Sequence, residues 1–306
     1  MDSKLNANDK FFNVMMTCLQ IISSSFSDGR RQWRVAAIVY FIQLCLAMTL
    51  GMQAHSVLES SIGHSLEINK LLAQYDHTVL TDFLKVHGAS ITPLIGQLRW
   101  LLLVWLIFSV FINAGLLYSV QSERLTARTF WQGGAEYFFP FLKISLTFLL
   151  LALAWTALIW LPFLMFIQPS YQYFSSEKYT VWLALSLLFI YLLGLGVLFI
   201  WSVISRFLKI KTNASTFPCI KNGWAIFRKN KGGFLLLMFC FLAFQIALSA
   251  AYWLLEAITG MTSPAWVLLL FVVQQAFVFF RIQLRQIMYS GVSQLATTRE
   301  ATRPLS

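Results

Sequence analysis

Six runs of this 306-residue chain are long and apolar enough to cross a lipid bilayer: residues 35–54, 98–120, 141–167, 179–205, 233–255 and 263–280. A span needs roughly 20 apolar residues to cover about 30 Å of hydrocarbon. Within that layer every backbone N–H and C=O must be satisfied by the protein itself, which a single run can do only as a helix. No run carries Asp, Glu, Lys or Arg in its middle, and only Arg99 and Lys143 stand near two of the ends. The chain is therefore predicted to be an all-α integral membrane protein with six transmembrane helices. Composition agrees: 58% hydrophobic residues, 16% aromatic and 11% charged exceed what one water-soluble core could hide. About 34 residues precede the first run, and Met52 and Ala54 do not form a small-x-small cleavage pattern. The first run is thus expected to stay in the protein as a span rather than be removed as a signal peptide.

Basic residues set the expected orientation. Nineteen of the 23 Lys and Arg fall on one side: in the amino-terminal segment, the second and fourth connections, and the tail. The other four are Lys70, Lys85, Arg99 and Lys178. Both termini are accordingly predicted to be cytoplasmic. The net charge of +11 lies along membrane edges, which argues for topology rather than nucleic-acid binding. Trp33, Trp131, Trp201 and Trp224 fall near the expected inner interface, and Trp100, Trp160, Trp182, Trp253 and Trp266 near the outer one. The four cysteines, Cys18, Cys45, Cys219 and Cys240, lie within spans or on the inner side, so no disulfide framework is expected outside. The chain reads as one membrane domain, residues 1–306. It has a cytoplasmic amphipathic segment at 1–34, an outer helical segment at 55–97 and a cytoplasmic tail at 281–306.

Three inward connections share a pattern. FSDGRRQWR, FWQGGAEYF and IKNGWAIFR each place an apolar residue, then Asp, Gln or Asn, then Gly, then an aromatic four residues later. The positions are Phe26, Asp28, Gly29, Trp33; Phe130, Gln132, Gly133, Tyr137; and Ile220, Asn222, Gly223, Phe227. The apolar residue, the glycine and the aromatic fall at i, i+3 and i+7, on one helix face. Each copy is predicted to be a short amphipathic helix in the headgroup layer. Its glycine would allow close approach and its aromatic would be inserted into lipid. Spans two and three would flank one copy, four and five another, and six and one the third through the amino-terminal segment.

This pattern of a Gly-centred amphipathic segment feeding each inward-entering span resembles a loose group of uncharacterised bacterial multi-spanning membrane proteins. The resemblance implies a bacterial inner (plasma) membrane, and it carries over no catalytic residue.

Outside, HSLEINKLLAQYDHTVLTDFLKVHG, residues 64–88, places Ile68, Leu71, Leu72, Tyr75, Val79, Phe83 and Val86 on a helical stripe. Gly88 is expected to end this helix, and Thr92 with Pro93 to start the second span. Leu72, Tyr75, Val79 and Phe83 are the candidate docking stripe. All four histidines (His55, His64, His77, His87) lie between spans one and two with Glu59, Glu67, Asp76 and Asp82, but without compact metal-ligand spacing. They read as solvated surface.

Enzyme signatures are missing from the sequence. No histidine follows His87 to serve a hydrolytic nucleophile, and HExxH, CxxC and a phosphate-cradling glycine loop do not occur. No cofactor is expected. Mid-span polar residues are Gln43, Asn113, Ser186, Gln245, Gln274 and Gln275, which suit interhelical hydrogen bonds better than ion-coupled transport. The expected function is a non-catalytic subunit or scaffold of a membrane assembly, in contact with lipids and with protein partners in the membrane. The alternative is a carrier or channel for a lipid or another largely apolar solute.

Overall fold

A computed structural model describes residues 20–21, 23–25, 33–62, 77–122, 126–173, 177–259 and 264–300. Its helices are α1 (Trp33–Ile62), α2 (His77–Gln121), α3 (Ala127–Tyr173), α4 (Glu177–Thr212), α5 (Thr216–Lys229), α6 (Lys231–Thr259) and α7 (Pro264–Glu300). Among the described residues there is no strand. All of these helices except α5 hold a stretch long and apolar enough to cross a membrane, the shortest being Trp33–Gln53. The protein is a multi-pass, all-α membrane protein.

Three boundaries differ from the sequence expectation. Helix α2 starts at His77 and runs unbroken through Gly88 and Pro93, where a stop and a new start were expected. One interior glycine costs about 1 kcal/mol and a proline about 3. Ending and restarting a helix leaves as many as four N–H and four C=O groups without intrahelical partners. Helix α3 likewise begins at Ala127 and continues through Pro140, so the second glycine-centred segment is the first turns of a span and not a separate interfacial helix. Finally, α7 continues twenty residues past the last apolar run, and Ile282, Leu284, Ile287, Tyr289, Val292, Leu295 and Ala296 are buried. Those residues were read as tail because the stretch is amphipathic rather than uniformly apolar. Leu284, Ile287, Gly291 and Leu295 recur at helical spacing.

Of the two segments among the described residues, the third in sequence, α5, is a helix of its own. Asn213 ends α4 in the left-handed region, with φ of 48°, a conformation that asparagine tolerates. Its N–H donates to Lys209 O at 3.1 Å, and Lys209 Nζ donates to Ala214 O at 2.7 Å. Ser215 is extended, and Pro218 sits in the first turn of α5, where a missing N–H costs little. At the other end, the Asn230 N–H bonds to Phe227 O at 3.2 Å and the chain turns into α6.

The chain forms two compact units: the described residues up to Ala36 together with those from Val110 on, and Ala37–Ser109. In Ala37–Ser109 several apolar side chains, such as Phe41, Met48, Trp100 and Leu102, are exposed, as lipid-facing residues are, while Val39 is buried. Span hydroxyls bond their own helix: Thr49 Oγ1 donates to Leu46 O and Ser109 Oγ to Leu106 O, both at 2.7 Å.

The larger unit keeps its core at the end where Lys and Arg cluster, here called the basic end. Ile112, Leu116, Phe130, Phe141 and Ile144 pack there, as do Ile204, Phe207, Phe234, Leu237 and Ile287. Residues 20–21 and 23–25 dock on α7, where Ile21 and Ser25 are buried and Ser24 Oγ donates to Gln294 Oε1 at 2.8 Å. Away from the basic end, α3 and α4 meet at Trp155, whose indole N–H donates to Tyr191 O at 3.2 Å. Most other apolar side chains on that stretch of α3 and α4 are exposed, among them Leu150, Leu158, Leu161, Leu185 and Phe189.

Candidate functional site

The glycine-centred segments turn one face inward. In α3, Phe130 is fully buried, Gly133 is buried and Tyr137 nearly so. A β-carbon at Gly133 would stand 2.4 Å from Tyr118 Cβ on α2, and one at Gly115 would stand 2.6 Å from Phe130 O. In α5, Ile220, Gly223 and Phe227 are buried against α4, where a Gly223 β-carbon would meet Ser205 Oγ at 2.7 Å. Tyr137 and Phe227 therefore pack inside the protein and are not inserted into lipid. Ring contacts explain the difference: Tyr137 lies 5.6 Å from Tyr118 on α2, and Phe227 lies 6.1 Å from buried Phe234 on α6. The most exposed aromatic on α5 is instead Phe217, 79% exposed. Gly29, with Phe26 and Asp28, lies outside the described residues.

The docking stripe is only partly placed. Leu72 and Tyr75 lie outside the described residues; Val79 and Phe83 are on α2, but their side chains are not described. Of the histidines, His55 is on α1 and exposed, and His64 lies outside the described residues. Among the described residues no group of three or more metal-ligating side chains occurs.

A polar cluster at the basic end joins four helices. Ser145 on α3 donates its proton to Phe141 O at 2.7 Å, which leaves its oxygen free to accept Arg206 Nη2 from α4 at 3.1 Å. The Arg206 guanidinium also lies 5.9 Å from the centre of the Phe141 ring. On α7, Arg285 Nε donates to Tyr289 OH at 3.1 Å. Asn113 Oδ1 on α2 accepts both Arg285 Nη2 and Tyr289 OH, the latter at 2.7 Å. Arg206 is within electrostatic reach of Arg285 and Tyr289, and its Nε is buried without a partner. Among the described residues no carboxylate pairs with either guanidinium, and Glu136 on the same side is exposed. A separate cleft of about 250 Å³ lies beside α5, floored by Leu208, Phe234 and Leu295, with Thr212, Asn222 and Lys229 as polar lining.

Of the mid-span polar residues, Asn113 is drawn into this cluster. Ser186 is exposed and bonds Trp182 O on its own helix at 2.9 Å, and Gln274 is exposed on α7. Sequence reading used Arg206 and Arg285 only as topological charges. The signal that marks them is depth: Arg206 is the first charge after the uncharged stretch 179–205, and Arg285 and Tyr289 share a face at i, i+4.

No protein family matches the chain, and neither a curated protein nor a solved structure does.

Proposed function

We propose that this protein is a non-catalytic subunit or scaffold of an assembly in a bacterial inner membrane, with both termini cytoplasmic as the basic residues imply. The observation that carries this reading is Gln274. It lies ten residues into α7, about 15 Å along the helix and so near mid-bilayer. Its side chain is exposed, and among the described residues it has no hydrogen-bond partner. An amide left unpaired in hydrocarbon costs on the order of several kcal/mol, which a hydrogen bond from a neighbouring helix removes. Exposed Phe271, one turn before it on the same face, supplies an apolar contact. A carrier would instead gather its mid-span polar groups around an enclosed path, whereas Ser186 and Gln274 face outward. The outer stripe of Leu72, Tyr75, Val79 and Phe83 is proposed as a second docking surface on the same partner.

A photo-reactive residue at position 274 tests the reading in native membranes, with the same probe at exposed Leu161 as reference. Cross-linking to a polypeptide from 274 and only to lipid from 161 is expected. Lipid adducts alone at both positions would overturn it. Tyr75→Glu with Phe83→Glu is expected to leave the spans inserted while releasing the partner.

A further inference from the structure

Arg206 and Arg285 lie half-buried at the basic end with only neutral partners among the described residues: Ser145 Oγ, Asn113 Oδ1 and Tyr289 OH. Arginine does not give up its proton in proteins, so both charges persist. Two like charges partly withdrawn from water repel each other and lose some hydration, and neutral dipoles offset little of that. An anion between or beside them does. The forked guanidinium groups are also held in place from behind: Asn113 and Tyr289 fix Arg285, while Ser145 and the Phe141 ring fix Arg206. Among the described residues only Nη2 of Arg206 bonds the protein, through Ser145, so this half-exposed residue keeps guanidinium donors for a ligand.

The depth of the pair selects the anion. Tyr179–Ser205 and Pro264–Phe280 carry no charge, and Arg206, Arg281 and Arg285 are the first charges beyond them. That is the boundary of the hydrocarbon, where phospholipid phosphates lie. Planar forks with several N–H donors match phosphate oxygens better than a lysine ammonium does.

We propose that Arg206 and Arg285 bind a phosphate group, supplied at this depth by the headgroup of an anionic phospholipid. This site is independent of the subunit reading. A chain that cross-links only lipid at position 274 and still binds phosphate through the arginines would end that reading and leave this one intact.

The test uses the full chain, delipidated in a neutral detergent, with thermal unfolding followed at constant ionic strength. Three probes are titrated: phosphatidylglycerol in mixed micelles, diacylglycerol at the same mole fraction, and inorganic phosphate. Phosphatidylglycerol is expected to raise the wild-type melting temperature, and diacylglycerol to leave it unchanged. Arg206→Gln and Arg285→Gln should each weaken the apparent affinity by about tenfold or more, the weight of a charge-assisted hydrogen bond. Lys221→Gln, which removes an equal charge from the exposed face of α5, should change it by less than about twofold. A response to inorganic phosphate that the arginine variants lose would assign free phosphate as the source and keep the site. Should a glutamine variant fail to fold, Arg206→Lys keeps the charge, loses the fork and should still weaken binding. Wild type that ignores both phosphate probes would show that the protein supplies its own counter-charge and would overturn the proposal. Arginine variants that respond like wild type would do the same.

Discussion

Gly223 on α5 packs directly on Ser205 of α4: a β-carbon on Gly223 would stand 2.7 Å from Ser205 Oγ and 3.3 Å from the Ser205 backbone nitrogen. The nearest obstacle is thus a single removable oxygen. Gly223→Ala is expected to destabilise the protein in detergent by about 1–3 kcal/mol through overpacking. Adding Ser205→Ala should recover more than half of that loss, even though Ser205 Oγ also bonds Trp201 O at 2.8 Å. A double variant no better than the single one would mean that the backbones, not the hydroxyl, set the limit.

Gly133 makes the contrasting case. Its β-carbon would meet Tyr118 Cβ at 2.4 Å, and that atom survives truncation of the ring. Gly133→Ala should therefore cost as much as or more than Gly223→Ala, and Tyr118→Ala should not rescue it. Gly232 has open space around it. Gly232→Ala should leave stability within about 0.5 kcal/mol of wild type, or raise it slightly through helix propensity. Thermal unfolding of the three variants in one detergent separates these outcomes.

Much of the architecture was legible in the run lengths, because hydrocarbon permits so few backbone solutions. The six spans emerge from that rule alone. Segments at the membrane edge were harder, since local chemistry there competes with packing. Gly88 and Pro93 look like punctuation, yet α2 passes through both. The same spacing that placed Ile220, Gly223 and Phe227 on one helix face could not say whether that face meets lipid or protein. Partners distant in sequence settle this, such as Ser205 for Gly223 and Tyr118 for Gly133. The arginine pair was hidden for a similar reason: Arg206 and Arg285 lie 79 positions apart in sequence and come within electrostatic reach only once α4 and α7 pack.

Trp201 ties α5 to α4 by donating its indole N–H to Ile220 O at 2.8 Å, and its ring meets Phe148 edge-on at 5.0 Å. Trp201→Phe keeps an aromatic ring and loses the bond, so a loss of about 0.5–1.5 kcal/mol is expected. Trp201→Ala also opens a cavity beside Phe148 and Ile144 and should cost about 3–5 kcal/mol. Near-equal losses for the two would show that the hydrogen bond, not the ring, dominates.

Phe217 is the most exposed aromatic of α5, three residues before buried Ile220. If α5 lies in the headgroup layer, Phe217 is buried in lipid while Lys221, also exposed, reaches water. An environment-sensitive dye on a cysteine at 217 should emit at shorter wavelength in lipid nanodiscs than the same dye at 221, in a background lacking the four native cysteines. Equal emission at the two sites would place α5 clear of the bilayer.

Asn113 offers the most direct control over the polar cluster, because one oxygen, Oδ1, accepts from both Arg285 and Tyr289. Asn113→Leu leaves both donors without that acceptor in a partly buried setting, and a loss of about 1–3 kcal/mol is expected. Asn113→Asp keeps the shape, adds a second acceptor oxygen and places a negative charge against the guanidinium. Charge-assisted bonds are roughly twice as strong as neutral ones, so the aspartate variant should melt above wild type. The same substitution supplies the counter-charge from within. If Arg285 otherwise depends on an external phosphate, Asn113→Asp should lower the affinity for phosphatidylglycerol while raising intrinsic stability. An aspartate variant that is both more stable and unchanged in lipid response would separate the Asn113 network from anion binding and leave Arg206 alone as the phosphate ligand.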